Sequence, residues 1–382
     1  MNRPVFQLSF FRLYMRVFLS QLKDKLWNIV RSEIYRVPKK LLSKSSILLF
    51  LYYPNAISES QLYPFHAYRK RVLKDFGLEL KAYPIDSWIQ SQAKETCQTK
   101  IIIIQIHFNI DHQYLVSIFE KIKASYPEAK IIFFDWFAAS DLRLASAVEP
   151  FIDKYVKKTI FSDVENYRVS YFGDTNLMDY YGKLYQCKHE RNQYQVPQEI
   201  DKKLVPGVGF ISAPYLHSLF SWHEPPNNPR PIDLNARFAT RGSIWYSAMR
   251  SDALRKALGL SAKYDVAHGP LPRSKYLLEL GRSKLTFSPF GYGEICWRDY
   301  EAMALGSLLI KPDMSHLKVI PGVFIPYETY IPIAWDFSDF DEKVLHYINS
   351  PKERLRISKN AFEIGHQFVF KEKFIEHVKN LI

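Results

Sequence analysis

The segment most informative about the fold runs from residue 282 to residue 311 and reads RSKLTFSPFGYGEICWRDYEAMALGSLLIK. Its pattern predicts a short strand over Lys284–Ser288, a glycine loop, a helix from about Glu294 and a second buried strand over Leu308–Ile310. Gly306 follows the predicted helix, where glycine commonly ends one. Strand, loop, helix and strand in this order form the repeating unit of a parallel α/β sheet.

The loop between this strand and helix favours an anionic ligand. Gly291 and Gly293 flank Tyr292, and glycine lets the backbone approach a ligand without an intervening Cβ. A helix N-terminus adds free N–H groups and partial positive charge. Arg298 and Glu301 are close enough along the helix to share one face, so they suit a diphosphate and ribose hydroxyls respectively. The residues alone are also compatible with an ordinary strand–helix unit of an α/β sheet, in which Arg298 and Glu301 form a surface ion pair.

A resemblance to a known family decides between these interpretations. The segment Phe290-Gly291-Tyr292-Gly293, followed by Arg298, Glu301-Ala302 and Leu305-Gly306, resembles the donor-site segment of GT-B glycosyltransferases. Its spacing is most similar to that of the exostosin-like branch and related bacterial enzymes. It departs from retaining enzymes that carry a glutamate just before the glycine loop, because Pro289-Phe290 occupy that place. The resemblance is specific over residues 284–311, extends over roughly 231–382, and is only architectural before that.

The resemblance implies an α/β protein with two Rossmann-like domains that face a cleft. It implies a nucleotide-sugar as substrate, with no cofactor and no metal, since no Asp-x-Asp motif is placed to hold a metal beside a diphosphate. Arg241 and Gly242 belong to a second strand–loop–helix unit that also resembles the family. The implied donor-binding residues are Arg241, Gly242, Lys284, Gly291, Tyr292, Gly293, Glu294, Arg298 and Glu301.

The first half of the chain predicts a parallel sheet of its own. Strand patterns alternate with helical patterns from residue 46 onward, and the unbroken run Ile101–Ile104 suits a central strand. Ligands of such sheets lie beyond the carboxyl ends of the strands, a rule that selects Asn55, His107 and Asp135. His66 is a further candidate. The alternative for each of these residues is that its polar side chain forms hydrogen bonds with nearby backbone groups and has no contact with substrate.

Catalysis is assigned to His107, Asp135 and Arg298. Histidine side chains in general change charge near neutral pH, so His107 would suit the removal of a proton from an acceptor hydroxyl. Arg298 would stabilise the negative charge on the departing diphosphate.

Length and composition limit the class of protein. The chain has 382 residues, of which 47% are hydrophobic and 24% charged, as in an ordinary globular protein. A chain of this length predicts two domains. The proline cluster at residues 225–229 divides an acceptor domain over residues 45–225 from a donor domain over residues 226–382.

The three cysteines are Cys97, Cys187 and Cys296. They suggest neither a disulfide framework nor a zinc site, which fits a cytoplasmic location.

Residues 1–44 form a basic segment with a helical apolar stripe. It holds ten Lys or Arg and two acidic residues, and so contributes +8 of the formal charge of +13. The stripe consists of Phe11, Met15, Phe18, Leu22, Leu26 and Ile29. Such an amphipathic helix predicts peripheral attachment to an anionic membrane surface, on its inner face, because charged residues interrupt it too often for a spanning helix. Packing of the helix on the protein's own domain is the alternative. Nucleic acid is not expected as a partner, because the positive charge is confined to one tail.

Together these features predict a glycosyltransferase that moves a sugar from a nucleotide-sugar to a hydroxyl of a glycan or lipid-linked acceptor. Assembly of bacterial-type cell-surface polysaccharide is the expected setting. The alternative is a catalytically inactive scaffold of the same fold that binds sugar or membrane.

Overall fold

A computed structural model of the chain describes residues 3–34, 45–91, 98–370 and 373–382, apart from the side chains of residues 3–8 and 32–34. Cys97 and residues 35–44 of the basic segment therefore lie outside the described residues. The strands are β1 (Ser46–Tyr52), β2 (Leu78–Pro84), β3 (Thr99–Ile104), β4 (Lys130–Asp135), β5 (Lys154–Lys157), β6 (Thr159–Phe161), β7 (Tyr171–Phe172), β8 (Arg191–Asn192), β9 (Leu204–Pro206), β10 (Ile232–Asn235), β11 (Val266–Ala267), β12 (Ser283–Phe287), β13 (Leu308–Pro312), β14 (Leu317–Val319) and β15 (Ile331–Ile333).

Helices separate most of these strands. They are α1 (Arg3–Ile34), α2 (Ala56–Ala67), α3 (Arg69–Phe76), α4 (Ile85–Ser91), α5 (His112–Ser125), α6 (Ala145–Val148), α7 (Asn176–Leu184), α8 (Ile200–Lys203), α9 (Pro214–Phe220), α10 (Ile244–Gly259), α11 (Arg273–Leu280), α12 (Trp297–Ala304), α13 (Phe340–Asn349), α14 (Pro351–Phe370) and α15 (Lys373–Leu381).

The first sheet has six parallel strands in the order β2-β1-β3-β4-β5-β9. Residues 47–51 of β1 and 102–104 of β3 are fully buried, because helices cover both faces of these central strands. The chain turns to opposite sides of the sheet from β1 and from β3. The loops after these two strands therefore diverge and leave a crevice at the carboxyl edge.

The second sheet repeats this topology with five parallel strands in the order β11-β10-β12-β13-β15. Its crevice lies between the loops that follow β10 and β12. The predicted fold class is confirmed: the chain is an α/β protein with two Rossmann-like units facing a cleft, the GT-B arrangement, and a helix at its N-terminus.

Two further contacts join the halves of the chain. β14 pairs with β6 in antiparallel register, with Lys318 opposite Ile160. α15 returns to the first sheet, where the ring of Phe374 lies 5.2 Å from that of Phe65. The division of the chain at residue 225 stays a prediction.

The N-terminal helix α1 has two apolar faces. One face packs against α9 and α11 and buries Leu13, Val17 and Trp27. The opposite face carries the predicted stripe and is exposed, to 58% at Phe11 and 67% at Ile29. The helix is thus both an amphipathic surface element and a part of the core. Among the described helices none is long and apolar enough to cross a bilayer.

Arg16 lies on the buried face of α1. Its guanidinium donates to the carbonyl of Glu224 at 2.5 Å and lies 4.7 Å from the ring of Trp222. Burial lowers the pKa of Arg16 to about 10, with a partial offset from Glu224.

Candidate active site

A cleft of about 940 Å³ opens at the carboxyl edge of the second sheet, at the crevice that its topology defines. The loops after β10 and β12 form much of its wall, and Ile57, Ala138 and Phe210 close it from the side of the first sheet. Six of the predicted donor-binding residues line it: Arg241, Gly291, Tyr292, Gly293, Arg298 and Glu301.

The helix behind the glycine loop begins three residues later than the sequence predicts, at Trp297 instead of Glu294. Cys296 is its N-cap, and Asp299 accepts a hydrogen bond from the Cys296 N–H at 2.8 Å. Asp299 is fully buried, and its carboxylate also lies 3.0 Å from the buried ammonium of Lys311. Since a side chain already caps this helix end, positive charge at the cleft comes mainly from arginines.

Arg298 reaches the cleft from the first turn of α12. Its Nε donates to the carbonyl of Arg237 at 3.1 Å, and its guanidinium lies 5.5 Å from the ring of Phe238. Burial alone lowers the pKa of Arg298. Tyr276, Cys296 and the nearby acidic residues outweigh that effect and raise the pKa above its ordinary value. The guanidinium is therefore a permanent positive charge at the cleft wall.

Arg250 is a second cation of the cleft, and sequence reasoning did not include it in the site. It projects from α10, is 5% exposed, and donates to the carbonyls of Phe290 at 2.8 Å and Ala239 at 3.1 Å. Its guanidinium also lies 4.6 Å from the ring of Tyr246. Burial lowers the pKa of Arg250. A sequence signal existed, because Arg250 follows the Arg241-Gly242 loop on the helix of the same strand–loop–helix unit.

The loops after β10 and β12 are joined through Tyr292. Its ring stacks on that of Tyr246 at 4.5 Å, and its hydroxyl accepts a hydrogen bond from the Ser243 N–H at 2.9 Å. A Cβ on Gly242 would lie 2.6 Å from Tyr246 Cδ1 and 2.7 Å from the Tyr292 hydroxyl, so only glycine fits there. Arg241 is consequently held at the mouth of the cleft, where it is exposed.

Gly293 has a role that the sequence did not indicate. A Cβ at this position would lie 1.9 Å from the carbonyl oxygen of Ala138, in the loop after β4 of the first sheet. The glycine therefore permits the close approach of the two halves of the protein. A Cβ on Gly291, by contrast, would have its nearest neighbour at 3.4 Å, which is close to an ordinary contact.

Glu301 presents its carboxylate to the cleft between two tyrosines. The Tyr215 hydroxyl donates to Oε1 at 2.8 Å, and the Tyr276 hydroxyl donates to Oε2 at 3.1 Å. Burial raises the pKa of Glu301, although the two hydroxyls and the arginines 273 and 298 partly oppose it. A carboxylate oxygen has two acceptor sites, so each oxygen can also accept a hydrogen bond from a ligand hydroxyl.

Besides Gly242, two predicted donor-binding residues do not line the cleft. Lys284 lies at the amino end of β12 and pairs with Asp233 of β10 at 2.5 Å. Glu294 points away from the cleft into the contact between the halves, where it accepts hydrogen bonds from Ser140 at 2.8 Å and Asn176 at 2.9 Å. These partners explain why the helix starts later than predicted, since they draw residue 294 out of the helical path.

The catalytic candidates of the first sheet also lie apart from the cleft. The Asp135 carboxylate is fully buried and accepts hydrogen bonds from Lys157 Nζ and from the Tyr155 hydroxyl, both at 2.7 Å. His107 pairs with Asp86 at 2.9 Å and lines a separate cavity of about 400 Å³. Of the three predicted catalytic residues, the structure therefore brings only Arg298 to the cleft.

The remaining two candidates of the first half, Asn55 and His66, have structural partners. Asn55 caps α2 by accepting a hydrogen bond from the Ile57 N–H at 2.9 Å. The ring of His66 lies 4.8 Å from that of Trp27 on α1, and burial lowers the pKa of His66 to about 4.

Comparisons with known proteins find similar folds. No protein-family model matches the chain, and no curated protein matches it in sequence. Its chain course is similar to that of HepE from Anabaena in complex with UDP, with a TM-score of 0.47 and 9% identity, over 88% of this chain and 99% of that one. It is also similar to an alpha-glucosyltransferase in complex with UDP and a 13-mer DNA, with a TM-score of 0.48 and 11% identity, over 87% and 99%. For TarM the TM-score is 0.44 at 12% identity, over 77% and 56%.

One expectation from the sequence is corrected by these comparisons. The exclusion of nucleic acid as a partner is wrong, because an alpha-glucosyltransferase of similar chain course is found in complex with DNA. Confinement of the surplus charge to one tail does not rule out a nucleic-acid partner for such a fold. Likeness at this level concerns only the course of the chain.

Proposed function

We propose that the protein is a glycosyltransferase that binds a nucleotide-sugar in the cleft of the second sheet. One observation carries the proposal: Arg250 and Arg298 reach the same cleft as Glu301, and neither arginine forms an ion pair within the described part of the chain. Arginines held by carbonyl oxygens, without a carboxylate partner, suit the two charges of a diphosphate. A tyrosine-held carboxylate beside them suits ribose hydroxyls.

The proposed chemistry rests on position and charge. The arginines stabilise the negative charge that develops on the departing nucleoside diphosphate, and because they supply positive charge we propose that no metal is required. The acceptor hydroxyl enters from the side of Ile57, Ala138 and Phe210, which close the cleft opposite the donor loops. Holding both substrates in line supplies much of the remaining rate enhancement.

A thermal-shift panel tests donor binding. The protein is heated with UDP-, GDP- and CMP-sugars, with and without EDTA. The matching nucleotide at a hundredfold excess over its dissociation constant should add about 2.7 kcal/mol to the free energy of unfolding. Slow release of sugar from the same donor would show transfer to water. If no nucleotide stabilises the protein, the alternative of a scaffold without transferase activity is favoured.

The acceptor is proposed to be carried on a lipid. The exposed face of α1 presents a continuous row of large apolar side chains, among them Phe11, Phe18, Leu22, Leu26 and Ile29. Exposed basic residues flank the row, and each one near an anionic surface contributes roughly 1 kcal/mol. This combination of apolar and basic side chains fits the surface of an anionic membrane, at which a lipid-linked glycan would be available.

Flotation with anionic vesicles tests the membrane proposal. Because the opposite face of α1 is in the core, substitution of exposed residues is preferable to truncation of the helix. The double variant Phe18→Ser and Leu22→Ser should no longer bind phosphatidylglycerol vesicles, and its melting temperature should equal that of the wild type. Phe370→Ser is the matched control, since Phe370 is 53% exposed at the far end of the chain. If the wild-type protein does not bind the vesicles even at low salt, a soluble acceptor is indicated.

A further inference from the structure

The two tyrosines that donate hydrogen bonds to the Glu301 carboxylate are themselves held by further residues. The ring of Tyr215 is covered by the guanidinium of Arg273, at 3.9 Å from the ring centroid. Arg273 is the first residue of α11, the helix that also carries Tyr276. One helix thus contributes both the second tyrosine and the residue that covers the first.

Arg273 in turn contacts the N-terminal helix. Its Nη1 lies 3.1 Å from Oδ2 of Asp24 on α1. A planar guanidinium can stack on a ring and pair with a carboxylate at the same time, whereas a lysine ammonium forms only the ion pair in this geometry. The contacts therefore run without interruption from Asp24 through Arg273 and Tyr215 to Glu301.

The position of Asp24 is fixed by the packing of α1. Asp24 follows Leu13 and Val17 along the face that packs against the core and precedes Trp27 on it. Leu13 lies against Gly281, immediately after α11, and a Cβ there would be 2.6 Å from Leu13 Cδ1. This close contact sets the distance between α1 and α11, and hence the reach of Asp24 to Arg273.

We propose that α1 is a positioning element of the donor site, in which Asp24 acts through Arg273 and Tyr215 to orient the Glu301 carboxylate toward the ribose. The inference rests on the proposed function, because it takes the ligand to be a ribonucleotide. None of the three supporting residues needs to touch the ligand. The helix that presents its outer face to a membrane thereby shapes the donor cleft with its inner face.

The test compares nucleotides that differ only in the hydroxyls that Glu301 would bind. Dissociation constants for UDP and 2′,3′-dideoxy-UDP are measured by calorimetry for the full-length protein and for Asp24→Asn, Arg273→Gln and Arg273→Lys; the guanosine pair is used if GDP binds better. Wild type should prefer the ribose form. Arg273→Gln should lower this preference about three- to tenfold, and Asp24→Asn less, because the ion pair is partly exposed. Affinity for the dideoxy form should not change.

Controls separate positioning from general stability. Arg282→Gln removes a different contact with α1, since this guanidinium lies 5.9 Å from the ring of Phe10, and it should leave the preference intact. Arg273→Lys should restore the preference only in part. Equal weakening of both nucleotides, or an unchanged preference in Arg273→Gln, would overturn the inference while the proposed function stands. A wild-type protein that binds the two forms equally would overturn it too, and one that binds no nucleotide would overturn both.

Discussion

The carboxyl edges of the two sheets hold charged residues in opposite situations. At the first sheet, Asp135 is fully buried and satisfied by Lys157 and Tyr155, so its charge is used within the fold. At the second sheet, Arg250 and Arg298 are held by carbonyl oxygens, rings and the uncharged side chains of Cys296 and Ser288, beside a cleft of about 940 Å³. The same topology therefore produces a stabilising ion pair at one edge and free positive charge at the other. A charged side chain at the carboxyl edge of a sheet indicates a ligand site only if its own domain leaves it without a counter-charge.

The largest expected effect is on stability, at the first edge. Asp135→Ala leaves the ammonium of Lys157, which is 1% exposed, without its partner. Loss of one member of a buried pair should lower the free energy of unfolding by about 3–5 kcal/mol, measured by urea denaturation. Asp135→Asn should cost less, since the amide oxygen still accepts a hydrogen bond. A stable variant that has lost transfer would instead place Asp135 in catalysis and break the comparison.

The next effect is on activity, at the second edge. Arg298→Ala should lower kcat about 10²–10³-fold, as expected when one donor to the developing charge is removed. The melting temperature should stay within a few degrees, because Arg298 has no ion-pair partner in the described chain. Arg255→Ala, on the outer surface of α10 with its side chain 73% exposed, is the matched control. Transfer by Arg298→Ala at the wild-type rate would contradict the donor site.

A third prediction uses pH to sharpen the contrast between the edges. Lys158, just beyond β5, is 1% exposed with no hydrogen-bond partner among the described residues, and burial lowers its pKa to about 7 from an ordinary 10.5. Between these values the unfolded chain binds the proton and the folded protein does not, so the free energy of unfolding should rise as pH increases from 7 to 10.5.

Lys158→Met should flatten this alkaline rise, which the two pKa values place on the order of 4 kcal/mol. Urea denaturation of both proteins between pH 6.5 and 10.5 measures it. Parallel curves for the variant and the wild type would show that Lys158 is charged in the fold.

The smallest expected effect concerns His107. Its pair with Asp86 is solvent-exposed on both sides, at 43% and 44%, and such pairs contribute less than about 1 kcal/mol. His107→Ala and Asp86→Asn should therefore leave transfer within about threefold of wild type. A hundredfold loss in kcat for His107→Ala alone would make this imidazole the general base and require the halves to close further.

Local periodicity accounts for what was predicted correctly. β12 was expected over residues 284–288 and is found over Ser283–Phe287, where Leu285 and Phe287 are fully buried on the same face. Gly306 has φ of +69°, the left-handed conformation that ends a helix. Arg298 and Glu301 share a helix face that meets the cleft, as their spacing indicated.

Sequence patterns were thus sufficient for most strands of the two parallel sheets, the glycine loop and the face of α12 that lines the cleft, but not for the edge strand β9. Which charges are free depends instead on tertiary contacts. Glu294 meets Asn176, 118 residues away, and Tyr215 meets Glu301, 86 residues away. α1 likewise has a second, buried face because α9 and α11 pack against it. Periodicity reports which residues an element buries. The availability of a charge depends on partners that folding brings from distant parts of the chain.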